Sequence, residues 1–272
     1  PLYSNILRQY LFGFNVLITY IYKNVISMQL KENGTNNVYM RAFVSVDCVV
    51  FGFDGRSLNL LLVERAGEHG AKLGMKLPGS LIYQQEDTDE AAVRVLNELT
   101  GIRKMKLRQF KSFSAADRAD DPNDVKWLEF EYHHDVDRLI TDAYLALNKI
   151  DRKLNTVSKY RSAEWIPVEK IGKMPFDHTR IVNEALDEIG SWIVADPSIV
   201  FELLPRKFTA AELRALYEAV HRKKMDVRNF HKKIVSMDYI IPLEEKQTGV
   251  AHRAARYYRF DKIIYNKRKH SI

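Results

Sequence analysis

Two stretches of this chain hold residues whose types and spacing could do chemistry. The first is GSLIYQQEDTDEAAVRVLNELTGI, from Gly79 to Ile102. On a helix, positions 95, 98 and 99 share one face, because they are three and four residues apart. Three carboxylates there would chelate Mg²⁺, a hard cation that takes oxygen ligands. Such a metal could bridge a diphosphate and neutralise developing charge. The residues present are Val95, Glu98 and Leu99, and one carboxylate is too few for a tight metal site. The second stretch is VRNFHKKI, from Val227 to Ile234. Arg228 and Asn229 are the side-chain types that pair bidentately with guanine and adenine edges. His231, Lys232 and Lys233 follow on the same short helix, with the two lysines suited to phosphates. The alternative for this stretch is a merely solvated helix face.

The elements that must position these residues can be read from apolar periodicity. Ala42 to Phe53 reads as a buried strand ended by the Asp54-Gly55 turn, with Leu58 to Glu64 as its hairpin partner. Asp87 to Leu99 reads as a helix, with Thr88 able to cap it and Ala92, Val95, Leu96 and Leu99 at helical spacing. Lys106 to Ser114 and Ile140 to Leu147 read as strands. Ala119 to Asp137, lying between them, reads as an inserted loop or hairpin. A short strand from Ala163 to Pro167 and a helix from Asp177 to Ile193 complete an α+β layer arrangement. Asp177-His178 is expected to cap that last helix. Cys48, the single cysteine, sits in the apolar run VSVDCVVFGF and reads as core. One cysteine allows no internal disulfide, which fits a reducing cytoplasm.

After Asp196-Pro197 the pattern changes. Phe208-Thr209-Ala210-Ala211-Glu212 is a capping box that opens a helix to about His221, with Leu213, Leu216, Tyr217 and Val220 on its apolar face. A basic turn leads to Asp226, which should cap a second helix with Phe230, Ile234 and Met237 inward. Tyr239 to Leu243 and Ala254 to Phe260 then read as a hairpin turned at Thr248-Gly249. Helix, turn, helix and hairpin make a winged helix. Arg253, Arg256 and Tyr258 are expected to touch DNA from the wing, and the ending KIIYNKRKHSI to add a nonspecific phosphate grip. Charge is divided accordingly. Residues 206–272 hold 17 Lys+Arg against 7 Asp+Glu, while the rest of the chain holds 25 against 28, out of totals of 42 and 35. A mildly acidic body thus carries a basic tail, which points to a polyanion partner.

The opening 38 residues are rich in aromatic and aliphatic side chains. Their uncharged run from Leu11 to Tyr22 is shorter than the roughly 20 residues that span a bilayer, and there is no signal-peptide cleavage pattern. Met28 offers a native start, and a membrane-peripheral segment is the alternative for this stretch.

Residues 79 to 102 resemble the Nudix box, the phosphate-chemistry helix of the Nudix hydrolases. In that pattern a glycine is followed after five residues by Glu, and after seven more by Arg-Glu-apolar-any-Glu-Glu-any-Gly-apolar. The glycine of the pattern falls on Ser80, directly after Gly79, and its first Glu on Glu86. Arg94, Leu96, Glu98, Gly101 and Ile102 match, while Val95 and Leu99 replace carboxylates. In the family Arg94 would brace the box by ion pairing, with Glu86 left as a cap or salt-bridge partner. Followed by a basic winged helix, this resembles the Nudix-related transcriptional regulators, the NrtR-like group. Supporting stretches are Phe176-Asp177-His178, LLPRKFTAAELRALYEAV, MDVRNFHKKI and ARYYRF.

The resemblance implies a Nudix α/β/α sandwich over residues 39–198, a winged helix-turn-helix domain over 199–272, and an N-terminal extension over 1–38. It implies a homodimeric, ligand-responsive regulator binding a duplex DNA operator, with no catalytic residues, no bound metal and no cofactor. The eroded carboxylates favour a sugar effector of the arabinose type, since a neutral sugar needs no metal. The alternative is an ADP-ribose hydrolase, or an ADP-ribose-sensing regulator of NAD metabolism. An enzyme using displaced ligands would draw on Glu129, Glu131, His133 or His134. Arg65, Lys76, Glu98, Asp117, Arg118 and His178 should lie near the effector cleft if the Nudix layout holds. For each of them a structural salt bridge is the other reading.

Overall fold

A computed structural model describes residues 42–133, 136, 138–150, 163–249 and 254–269. The extension over 1–38, the candidate ligand His134 and the wing residue Arg253 lie outside the described residues.

Seven strands form one sheet: β1 (Phe43–Phe53), β2 (Leu58–Ala66), β3 (Lys72–Lys76), β4 (Gly79–Leu81), β5 (Arg108–Phe113), β6 (Leu139–Lys149) and β7 (Ala163–Pro167). The order is β3-β2-β1-β6-β5, with β4 paired to β1 and β7 to β2. β1 and β6 run parallel over their full lengths, from Phe43 beside Leu139 to Phe53 beside Lys149, at the centre of the sheet. A central strand must be apolar on both faces, and β1 obeys this with Val46, Cys48 and Val50 to one side and Val49, Phe51 and Phe53 to the other. Cys48 is fully buried, with its thiol against the Ala92 carbonyl, as a core residue should be.

Helix α1 (Thr88–Thr100) covers the first face through Ala91, Ala92, Val95 and Leu96. Its cap is Asp87 rather than Thr88: the Asp87 carboxylate accepts from the Glu90 amide, and Glu90 returns the bond to the Asp87 amide. Gly101, at φ 75°, closes the helix in a left-handed turn that suits glycine. The segment expected as a loop or hairpin instead contains helix α2 (Pro122–Tyr132). Asp121 caps it, Pro122 occupies its first turn, where a missing N–H costs nothing, and Trp127 and Leu128 anchor it against Leu139.

Helix α3 (His178–Ala195) covers the second face through Ile181, Ala185, Leu186 and Ile189. The same apolar cluster continues without a break into the C-terminal domain through Val200, Leu203, Phe208 and Leu213. That domain comprises α4 (Val200–Leu203), β8 (Phe208–Thr209), α5 (Ala210–His221), α6 (Val227–Val235), β9 (Ile240–Lys246), β10 (Arg256–Phe260) and α7 (Lys262–Lys269). The capping box on α5 forms as expected, with Thr209 and Glu212 exchanging bonds, and Asp226 caps α6. A third strand, β8, joins the expected hairpin in the order β8-β10-β9. The C-terminal stretch expected as a phosphate grip is in large part a fastening. Tyr265 and Lys269 reach back to Asp196 at 2.6 and 2.8 Å, and Arg268 pairs with Asp238.

Candidate functional site

The helix that frames the motif cannot hold a metal as built. Val95 is fully buried in the core beneath α1, and Leu99 packs against the same cluster. Glu98 is turned outward and pairs with Arg94 at 3.1 Å. Arg94 also makes a bidentate bond to Glu86 and donates to the Leu81 carbonyl. Glu86 further accepts from the Tyr83 amide at 2.7 Å, and the Arg94 bonds hold its carboxyl below the usual range. Both remaining acids are therefore spent on bracing the loop. The Mg²⁺ that this helix would carry in a hydrolase does not fit these residues. Glu129, Glu131 and His133 sit on α2 and its C-cap, and no three His, Cys, Asp or Glu side chains are grouped to take a metal among the described residues. The glycine requirement of the motif falls on Gly79 rather than Ser80, because a Cβ at Gly79 would lie 2.0 Å from the Asp47 carboxylate.

That carboxylate lies at the centre of a buried polar knot. Asp47 is the lone acid of β1. Arg118 reaches it at 3.5 Å and pairs with Asp177 at 2.9 Å. His178 lies 3.5 Å from Asp47 through Nε2 and accepts the Leu77 amide on Nδ1 at 3.2 Å. The accepted bond places the imidazole proton on Nε2, facing the carboxylate. Burial pushes His178 down to about 4, so the ring is neutral at physiological pH. Burial opposes the charge on Asp47, yet His178, Arg118 and Lys76 outweigh it and hold the carboxyl below its usual range. Lys76 donates to the Gly79 carbonyl at 2.7 Å, and burial lowers its affinity for the proton. Asp177, expected as a helix cap, makes no capping bond, because its carboxylate is taken by Arg118. Arg118 Nη1 and Asp177 Oδ2 are buried with no hydrogen-bond partner among the described residues.

Beside the knot opens a cleft of about 680 Å³. Its wall is aromatic and carries both signs of charge, with Arg65, Lys126 and Lys173 beside Glu68, Asp121 and Asp124. The Arg65 guanidinium lies 5.0 Å from the Trp127 ring and 5.5 Å from the Phe176 ring, and it pairs with Asp124. Asp124 in turn accepts from the Phe176 amide at 2.7 Å, and Trp127 donates to the Ala66 carbonyl at 2.8 Å. Phe176 is held at φ 55°, a conformation that side-chain-bearing residues rarely adopt and that the surrounding structure must enforce. Trp127 and Phe176 also line the space of about 20 Å³ around Asp47, Lys76, Arg118 and His178. That is room for on the order of one water molecule.

Of the six residues expected at an effector cleft, Arg65 is on the cleft wall, while Lys76, Arg118 and His178 are in the knot behind it. Asp117 is exposed and Glu98 is committed to Arg94, and neither lines the cleft or the knot. The sequence reading missed Asp47, Asp124, Trp127 and Phe176. Asp47 carried a usable signal, as an acid inside an otherwise apolar strand. Trp127 and Asp124 were hidden in the segment read as an insertion.

In the C-terminal domain, Arg228, Asn229, His231, Lys232 and Lys233 are all exposed on α6, while Phe230 and Ile234 turn inward. Lys233 lies over the Tyr217 ring at 5.0 Å. Arg256 is exposed on β10, but Tyr258, expected on the wing surface, is 8% exposed and packs in the domain core. Regular alternation would put Arg256 and Tyr258 on one face, but the pairing with β9 shifts register between these two residues, and such a bulge re-aims the side chains so that Arg256 is outward and Tyr258 inward.

Comparison with known proteins gives two family matches. A NUDIX domain model matches residues 41–187, and a model of the NrtR DNA-binding winged helix domain matches residues 200–260. A curated relative from Acinetobacter baylyi, named "ADPR responsive transcriptional repressor NtrR", is 24% identical over 226 residues, covering 82% of this chain and 83% of the relative. Among solved structures, Shewanella oneidensis NrtR in complex with a 27mer DNA is 22% identical, covers 80% of this chain and 93% of its own, and superposes with a TM-score of 0.56. A MutT/nudix family protein from Enterococcus faecalis is 20% identical, covers 82% and 90%, and has a TM-score of 0.52.

Proposed function

Because this chain belongs to the NUDIX domain family and carries an NrtR-type winged helix behind that domain, we propose that it is a ligand-responsive, DNA-binding transcriptional regulator. The observation that carries this reading is the exposed face of α6. Arg228, Asn229, His231 and Lys232 present donors and cations to solvent with no side-chain partner among the described residues. An α-helix fits the major groove of B-DNA. On this reading Arg228 and Asn229 contact base edges, while Lys232, Lys233 and Arg256 hold phosphates. The division between sensor and DNA-binding domain falls near residue 198, and two copies bind a palindromic operator, so that protein and DNA share a two-fold axis.

The Nudix domain serves in this reading as a sensor and does not hydrolyse its ligand, since its carboxylates are replaced or tied to Arg94. The effector belongs to the ADP-ribose class. The arabinose-type sugar expected from the eroded box finds no support among the relatives, whose curated member is named for its response to ADP-ribose. The cleft suits such a ligand: Trp127 and Phe176 give its wall aromatic surface for a base, and Lys126 and Lys173 offer positive charge to a diphosphate. Loss of the metal ligands removes turnover and leaves binding possible, which is what a sensor requires. The test is fluorescence anisotropy of the protein on a duplex from its own upstream region, with ADP-ribose or arabinose, each with and without Mg²⁺. ADP-ribose should shift the DNA affinity without metal and be recovered intact. A shift produced by arabinose alone would return the effector to the sugar class. Metal-dependent consumption of ADP-ribose would make the domain an enzyme.

A further inference from the structure

A second cavity lies at the seam between the two domains, on the other side of Met174, which lines both it and the cleft. It has a volume of about 520 Å³. Its floor is apolar, with Leu58, Val182 and Leu186 from the Nudix side and Ala219 from α5. Its rim is basic: Arg56 comes from the β1–β2 turn, and Arg222, Lys223 and Lys224 come from the turn between α5 and α6. The two acids on the rim are already committed. Glu169 accepts from Ser57, and Glu218 accepts from the Met225 amide at 2.9 Å and pairs with Arg214 and Lys224. Arg222 is engaged across the seam with Asp187 and with Asn183 at 3.1 Å. The side chains of Arg56 and Lys223 have no hydrogen-bond or ion-pair partner among the described residues.

We propose that this seam cavity is a binding site for a small organic anion, with an apolar body seated on the floor and a single carboxylate, sulfonate or phosphate held by Arg56 and Lys223. The volume is that of a small-molecule site, and such sites sit preferentially between domains. The polarity is set by the rim, where four cations face two acids and where Arg56 and Lys223 are the cations with no partner among the described residues. An uncharged apolar ligand would gain nothing from the two cations, and a cationic one would meet repulsion from Arg56, Lys223 and Lys224 together. Met174 is the one lining residue the two cavities share, and neither Arg56 nor Lys223 lines the effector cleft, so this site stands or falls separately from the identity of the effector.

The probe is 8-anilinonaphthalene-1-sulfonate, an aromatic body with one sulfonate, titrated into the full chain and followed by fluorescence. One saturable site is expected, displaced by hexanoate. The uncharged analogue N-phenyl-1-naphthylamine should bind at least tenfold more weakly. The double variant R56A/K223A should lose affinity for the sulfonate at least tenfold while keeping its melting temperature, since both side chains are exposed. The single reversal Lys223→Glu should act in the same direction. Equal affinity in R56A/K223A and the unaltered chain, or equal binding of the uncharged analogue, overturns the proposal.

Discussion

The polar knot behind the cleft and the outer face of α6 are built from similar residue types and use them in opposite ways. In the knot, Arg118, Lys76, His178, Asp47 and Asp177 are buried and spend nearly all their bonding on one another and on backbone carbonyls and amides. On α6, Arg228, Asn229, His231 and Lys232 are exposed and make no side-chain hydrogen bond or ion pair among the described residues. A buried charge is costly unless paired, so the knot is an all-or-nothing structure. An exposed cation costs nothing to leave unpaired and keeps its full bonding capacity for a polyanion. The comparison separates residues that build a site from residues that meet a partner, and the two groups should fail differently when altered.

The largest expected effect is in the knot. Arg118→Met keeps the bulk of the side chain but leaves Asp177 without its ion-pair partner and strips one of the cations from Asp47. Removing one partner of a buried pair costs about 3–5 kcal/mol. Chemical denaturation should show a loss of that order, and a loss below about 1 kcal/mol would mean that the knot is wetter than its burial indicates. The next effect is in pH dependence. In the folded protein His178 titrates near 4, below its ordinary 6.5, because it is buried. The folded protein therefore binds fewer protons than the unfolded chain in that interval. Stability is fully present above about pH 6.5 and is lost as pH falls towards 4, by up to roughly 3 kcal/mol at 1.36 kcal/mol per unit. His178→Asn retains an acceptor for the Leu77 amide and should flatten that part of the stability profile. An unchanged slope would place the titration elsewhere.

The same contrast explains what was legible in the sequence. The winged helix was readable almost residue by residue, because its signals are local: a capping box at Thr209 and Glu212, a cap at Asp226, and apolar residues at helical spacing on both helices. The Nudix frame was readable from spacing, down to the Arg94 brace. The knot was not, because its members come from β1, β3, the segment after β5 and the start of α3, and only the fold brings Asp47, Lys76, Arg118 and Asp177 together. Asp177 shows the difficulty. Its position before a helix is a strong local sign of a cap, and a buried arginine 59 residues away in sequence overrides it. Pro122 shows the reverse case: in ADDPND it looks like a loop proline, and it is the first turn of α2.

On α6 the expected effects are smaller and leave the fold alone. Arg228→Ala should cost about 1–3 kcal/mol of affinity for the specific operator and relax preference at one base pair. The melting temperature should not move, since Arg228 has no partner to lose. Lys232→Ala should weaken binding to all duplexes alike and reduce the slope of log affinity against log salt by about one. If Lys232→Ala instead changed sequence preference, the division of α6 into base-reading and phosphate-holding residues would be wrong.

The smallest expected effect is the sharpest test of the division between inside and outside. Tyr258 and Arg256 stand two residues apart on β10, yet Arg256 is exposed and Tyr258 is buried. The Tyr258 ring fills the domain core, and its hydroxyl makes no hydrogen bond among the described residues. Tyr258→Phe keeps the ring and should change DNA affinity by less than about twofold, within the ±0.5 kcal/mol expected when no specific feature is touched. Arg256→Ala, on the outward face, should lower affinity and salt dependence together, as a lost phosphate contact does. A loss of fivefold or more in Tyr258→Phe with an unchanged melting temperature would mean that the wing turns this residue outward on DNA. The core of the small domain would then rearrange on binding, because the ring cannot leave its place without exposing Phe208, its neighbour on β8.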